Sequence, residues 1–239
     1  MIAVFGLGWF SPDAPPRLPN LESDIVECPS ARPATETGEI DSARRLAIVI
    51  ELRDAAPAIA GEALRAHDLA VRGLAAQAEA FLPARFGQMF ADRAALLEAV
   101  APRHAAFVEA LALVRGCSQM TLRWFGESAP EPEMPIEGIG VLGGGPGTRY
   151  LARRRAELAV EHGMPEVAAE QQRLQPYVRA ERLRRGGAPG LLGTAYHLVA
   201  DSDLARYRAE LALLPSTPAL RLRASGPWPN YAFAPELAA

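Results

Sequence analysis

The 239-residue chain contains no lysine, and all 25 of its basic residues are arginine. Without a side-chain primary amine, Schiff-base catalysis, pyridoxal anchoring and a phosphate-loop lysine are excluded. Cysteine is scarce too. Cys28 and Cys117 stand far apart and make no zinc framework, so the economical reading is two free thiols in a reducing compartment, the cytoplasm. No apolar run reaches the roughly 18 residues that a membrane span needs. The apolar opening Met1-Ile-Ala-Val-Phe-Gly-Leu-Gly-Trp-Phe10 lacks the basic region and cleavage site of a leader and reads as a first strand. H-E-x-x-H and G-x-S-x-G are both missing, so neither a metalloprotease nor a serine hydrolase is signalled. His67, His104, His162 and His197 carry no ligand spacing, and Glu131 and Glu133 sit where nothing would raise a carboxyl pKa for acid catalysis. No catalytic, cofactor-binding or metal residue is expected.

A hydrophobic content of 49% with a mean hydropathy of +0.01 describes a globular chain. Its length suffices to bury about two thirds to three quarters of the unfolded surface. The net charge of −3 and pI near 5.9 argue against a general nucleic-acid binder.

Residues 2–7 read as a short strand, 24–27 as a second, and the β-branched run 45–52 as a central strand covered on both faces. Helical spacing after Pro57 takes in Leu64, Val71, Leu74, Ala78 and Phe81, with Pro83 as the stop. Asp92 is placed to cap a helix carrying Leu96, Ala99, Val100, Phe107, Leu111 and Val114, which Pro102 should kink or divide and Gly116 end. Residues 119–125 read as the next strand. The expected fold is α+β with two domains: a ferredoxin-like sandwich over 1–126, a Pro/Gly-rich linker over 127–147, and a smaller α+β, ferredoxin-like domain with a helical arm over 148–239. In the latter, a helix starts near Thr148 and resumes from Glu166, 191–199 is a strand, and Asp201-Ser-Asp203 caps a helix with Leu204, Tyr207, Leu211 and Leu214. No tandem sequence repeat is visible.

The last strand alternates Leu220, Leu222 and Ala224 with Arg221, Arg223 and Ser225, giving one dry and one wet face. Gly226 and Pro227 are expected to stop it, and Pro229 holds Trp228 extended, with Tyr231 and Phe233 pointing one way. These aromatics either cap a core or form an adhesive patch for another protein, and the two roles are compatible. Between the first two helices, Arg85-Phe-Gly-Gln-Met-Phe90 is too apolar for an ordinary loop: Gly87 frees the backbone, and Arg85 should be held by carbonyls or a carboxylate. Arg153-Arg-Arg155 with Arg182, Arg184 and Arg185 makes 149–185 basic, either a solvated helix face or a dock for an acidic partner.

Three stretches together resemble the GvpL/GvpF family of gas vesicle proteins. Leu82-Pro-Ala-Arg-Phe-Gly-Gln-Met-Phe90 is similar to L-P-x-R-F-G-T-x-F, with His67 at about the family's spacing before it. Tyr150-Leu-Ala-Arg-Arg-Arg-Ala-Glu-Leu158, with Arg153 and Arg154, is similar to Y-L-x-R-R. Gly226-Pro-Trp-Pro-Asn-Tyr-Ala-Phe233 is similar to G-P-W-P-P-Y-S-F. Gln88, Asn230 and Ala232 depart from those patterns. The resemblance implies a non-catalytic accessory or minor structural protein of gas vesicles, in the cytoplasm and on the vesicle, which binds the small hydrophobic shell protein and other accessory proteins. Arg85, Phe86, Gly87, Phe90, Tyr150, Arg153, Arg154, Gly226, Pro227, Trp228, Tyr231 and Phe233 are its candidate interaction or structural residues. The alternative is a nucleotide-binding module or enzyme that uses Gly138-Ile-Gly-Val-Leu-Gly143 within the 138–147 loop, although no good strand precedes it and Gly144-Gly-Pro-Gly147 delays a helix. A third reading is an RNA-binding ferredoxin-like module.

Overall fold

A computed structural model describes residues 1–11, 16–17, 23–28, 46–126, 164–186, 188, 190–215, 217 and 219–237. The chain divides into two compact units, Met1–Gln119 with Pro227–Ala239, and Met120–Gly226.

The first unit is built on β1 (Ile2–Trp9), an almost wholly apolar and buried strand that is paired on both edges. β3 (Leu46–Leu52) runs antiparallel on one side, and β2 (Ser23–Cys28) pairs beyond it. On the other side β4 (Ala80–Pro83) and β5 (Met89–Phe90) divide the length of β1 between them. The order is thus β4-β1-β3-β2, with β5 also on β1. α1 (Gly61–Gln77) lays Ala70, Val71 and Leu74 against Phe5, Val49 and Phe81. Asp92 caps α2 (Arg93–Val100), its Oδ1 accepting from Ala95 N–H at 2.9 Å. Pro102 then sits in a short 3-10 turn, Ala101–Arg103, which separates α2 from α3 (His104–Val114). α3 buries Phe107, Leu111 and Val114 and contacts β1 and β4. Because Leu7 pairs with Leu82, and Phe81 alternates to the opposite face, the two helices cover the two sides of the sheet.

The extension of the first helix to Phe81 is corrected here. The chain turns extended at Ala78, and Phe81 lies in β4. All four residues of β4 are buried, so an unbroken apolar run continues the helical spacing by coincidence, and Leu64 is exposed. The register shift in β1 between Val4 and Gly6 places Phe5 with Val49 and Phe81 on the α1 side.

In the second unit, β6 (Cys117–Gly126), β7 (Val178–Arg185), β8 (Leu191–Ala200) and β9 (Leu220–Trp228) form a sheet of order β7-β8-β6-β9. A 3-10 turn, Pro165–Val167, leads into α4 (Ala168–Leu174), and α5 (Leu204–Ala212) follows β8. Val167, Leu174 and Tyr207 pack on Met120, Leu122, Trp124, Ala195 and Val199. Residues 178–185 are a strand, a correction to the basic helix face read there. Arg179, Arg182, Arg184 and Arg185 leave few apolar positions to reveal a period of two, and a register shift between Val178 and Ala180 breaks it once more. β9 also continues through Gly226 and Pro227 to Trp228, because at the end of the sheet order a proline's missing N–H leaves no ladder bond unmade. Each unit therefore places its fourth strand beside its first, then its third and second, the ferredoxin-like order, in an α+β fold.

Gly6 is where β1 has no room for a side chain. A Cβ there would run into Phe81 Cζ and come within 2.6 Å of the Leu82 carbonyl oxygen. Gly6→Ala is expected to lower unfolding stability by about 1–3 kcal/mol in urea titrations, through displacement of the Phe81 ring.

Candidate functional site: a corner and the returning tail

The 84–88 corner is an excursion between two pieces of strand that pair with β1. Ala84 N–H donates to Phe5 O at 2.9 Å, and Gln88 O accepts from Val4 N–H at 3.1 Å, so both ends of the excursion are pinned at the β1 irregularity. Across the turn, Gln88 N–H donates to Arg85 O at 3.2 Å. Gly87 takes a φ of 81°, a conformation that a side chain would resist at the third position of such a turn. Phe90 is buried in β5, and Phe86 is half-buried against α1.

His67 of α1 fills the space behind this turn. Its ring stacks on Phe5 with centroids 5.3 Å apart and meets Phe86 edge-on at 5.4 Å. Nε2 lies a long 3.4 Å from the Ala84 carbonyl oxygen, so Nε2–H is the donor. Burial holds the His67 pKa below the usual histidine value; the Ala84 carbonyl and Asp68 oppose that shift, and Arg53 adds to it.

The tail, Pro227–Ala239, packs within the first unit. Trp228 is half-buried, its ring 4.4 Å from the Arg72 guanidinium carbon, and Arg72 Nε in turn donates to Asp68 Oδ2 at 2.7 Å one helical turn back. Tyr231 joins the cluster around Phe5 and Phe81, where burial and then Asp68 push its hydroxyl pKa upward, against Arg72. Phe233 is 2% exposed and belongs to the core. Asn230 Nδ2 donates to Cys117 O at 3.1 Å, and Ala232 N–H to Gln119 Oε1 at 2.7 Å. The 3-10 turn Tyr231–Phe233 lies against β4, the strand at the end of the sheet order, where exposed ladder groups would otherwise invite pairing. Beyond it, Glu236 Oε1 accepts from Arg85 at 2.8 Å and the Glu236 carbonyl accepts from Arg103. Corner and tail enclose a cleft of about 110 Å3, lined by Leu82, Arg85 and Gln88 on one side and Tyr231, Pro235 and Leu237 on the other.

Of the residues singled out by sequence, Arg85, Phe86, Gly87, Phe90, Trp228, Tyr231 and Phe233 thus meet in one unit. Pro227 is exposed at the end of β9, and Gly226, two residues from its end, accepts from Arg208 at 3.3 Å. Tyr150, Arg153, Arg154 and the 138–147 loop lie outside the described residues. Sequence reading missed Asp68, Arg72, Arg103 and Glu236; only the i,i+4 spacing of Asp68 and Arg72 signalled anything. It also missed a buried chain in the second unit. His197 Nε2–H donates to Glu181 Oε1 at 2.9 Å, which leaves Nδ1 to accept from the Tyr207 hydroxyl, also at 2.9 Å. Tyr207 and His197 are buried and Glu181 is half-buried, so this chain braces the core of the second unit. Among the described residues, no His/Cys/Asp/Glu group could hold a metal, and no helix is long and apolar enough to cross a membrane.

The sequence profile of the gas vesicle synthesis protein GvpL/GvpF family matches residues 31–235. The chain belongs to the GvpL/GvpF family. Its fold is similar to crystal structures of the gas vesicle protein GvpF from two organisms. For Anabaena sp. PCC7120 the TM-score is 0.59 at 14% identity, covering 98% of this chain and 96% of that one. For Microcystis aeruginosa it is 0.60 at 12% identity, covering 98% and 99%. A comparison with curated protein sequences returns no match.

The depressed His67 pKa fixes the sign of a pH effect. The unfolded chain binds the proton more readily, so the contribution of neutral His67 is complete above about pH 6.5 and is lost as pH falls from there through the lower folded value. Urea midpoints measured across that window should drop with pH, and His67→Gln should flatten the dependence. Phe233→Ala is expected to cost about 3–5 kcal/mol, Trp228→Ala about 1 kcal/mol, and Arg85→Ala less than about 0.5 kcal/mol, because the Arg85 pair is exposed. Equilibrium unfolding checks all three.

Proposed function

We propose that this GvpL/GvpF family member is a non-catalytic accessory or minor structural protein of gas vesicles. It acts in the cytoplasm and on the vesicle, binding the small hydrophobic shell protein and other accessory proteins during nucleation and assembly. One observation carries this reading: in a chain of this family, two motif-bearing stretches some 140 residues apart in sequence, Leu82-Pro-Ala-Arg-Phe-Gly-Gln-Met-Phe90 and Gly226-Pro-Trp-Pro-Asn-Tyr-Ala-Phe233, supply the lining of one cleft and its aromatic surround. The chemistry there is adhesive. Half-buried Phe86 and Trp228 offer apolar rings on a rigid frame, and Arg85 and Arg72 add guanidinium groups at their margins.

A small hydrophobic shell subunit must be kept from premature association until it joins a growing shell. Rings held in place by the sheet and α1 bind with little entropy left to lose, and they cover apolar surface or strand edges that would otherwise aggregate. The proposed contacts are the corner and the tail, with the basic stretch that carries Tyr150, Arg153 and Arg154 as a further region.

Co-expression with the small shell protein, followed by co-purification and separate assay of the floated vesicle fraction, tests this. The protein is expected to co-purify with the shell protein, and Trp228→Ala to weaken that association while the chain stays folded. Retention on floated vesicles after a urea wash would identify a tightly held vesicle component. Association with unfloated shell protein alone would identify an assembly factor. Association with neither would overturn shell binding.

A further inference from the structure

The helices of the second unit cover one face of its sheet, and the other face carries a group of exposed arginines. Met120, Leu122 and Trp124 of β6, Leu220 and Leu222 of β9, and Leu183 of β7 turn toward the helix side. Strand alternation therefore puts Arg123 and Phe125 of β6, Arg221 and Arg223 of β9, Arg182 and Arg184 of β7 and Tyr196 of β8 on the opposite face, where Thr121, Thr194 and Leu198 are buried. Arg123, Arg184, Arg221 and Arg223 are exposed, and their side chains make no ion pair or hydrogen bond among the described residues. Phe125 and Tyr196, on the two inner strands, are half-buried.

Arginine on a terminal strand is a common guard against edge-to-edge association, which accounts for Arg184, Arg221 and Arg223. It does not account for Arg123. That residue lies on an inner strand beside β9, so three guanidinium groups of one sign share one face of two neighbouring strands, an arrangement that costs stability unless an anion neutralises it. Carboxylates suit the planar fork of arginine, and the two rings offer seats for apolar side chains between them. A long polyanion such as RNA fits less well, because the chain as a whole carries a charge of −3 and repels it beyond the patch.

We propose that this sheet face docks an extended, carboxylate-rich segment of another protein. The inference is independent of the corner and tail and of what binds there.

Fluorescence anisotropy of a labelled decaglutamate peptide with the full chain tests it, with a decalysine peptide and oligouridine as comparisons. Decaglutamate should bind saturably in about 50 mM salt, and at least about tenfold more weakly in about 300 mM salt, as an exposed ionic contact requires. Arg123→Glu, Arg221→Glu and Arg223→Glu combined should abolish binding while thermal unfolding stays unchanged. If charge reversal disturbs folding, the same three positions changed to Gln carry the test, with at least about a tenfold loss expected. Absence of decaglutamate binding at low salt, affinity unchanged in the folded variant, or tighter binding of oligouridine would each overturn the proposal.

Discussion

The ring of Phe81 lies directly on the backbone of β1, and this contact is possible only because Gly6 presents no side chain beneath it. With the ring seated, β4 registers on β1 with Leu82 opposite Leu7 and Pro83 opposite Gly6. The chain then leaves the sheet at Ala84 and rejoins it at Met89, which fixes the length and direction of the corner. α1 settles over the same ring through Val71 and Leu74, bringing His67 behind the turn and Asp68 and Arg72 within reach of the tail. One close approach of ring to backbone thus propagates into the placement of every group around the cleft.

The tail completes this unit in a way that divides its aromatics by depth. Phe233 is a core side chain, Tyr231 is partly covered, and Trp228 is half-buried beneath the Arg72 guanidinium. Core filling therefore falls to Phe233, while Trp228 is the ring left for the proposed contact with a partner. The polar anchors follow the same division: the bonds to Cys117 and Gln119 hold buried or half-buried atoms, whereas the Arg85–Glu236 pair is open to water and contributes geometry more than energy.

The second unit repeats the strand order of the first without a visible repeat in sequence. Its interior is secured by a different device, the Glu181–His197–Tyr207 chain, in which each polar group satisfies the next. Polar residues that look isolated in sequence are joined across neighbouring elements, Glu181 opposite His197 in the β7–β8 ladder and Tyr207 above them on α5.

Local physics made much of this legible in advance. An apolar run marked β1 and a β-branched run β3, Asp92 marked the start of α2, Pro102 marked its separation from α3, and the alternation after Leu220 marked β9. In each case the signal lies within a few residues and reflects burial, capping or a missing N–H. The residue patterns of the corner and tail also carried the family resemblance. What the sequence by itself determined, then, was most of the helices and strands, the α+β class, the family and the aromatic character of the tail. The tertiary structure alone decided that Phe81 belongs to a strand, that residues 178–185 pair with β8, and that the tail packs with the corner. β4 is too short to show a period and β7 too charged to show one, so both are strands because a neighbouring strand takes up their backbone bonds. The meeting of Glu236 with Arg85 depends on a contact 151 residues away, and no pattern within either segment encodes it.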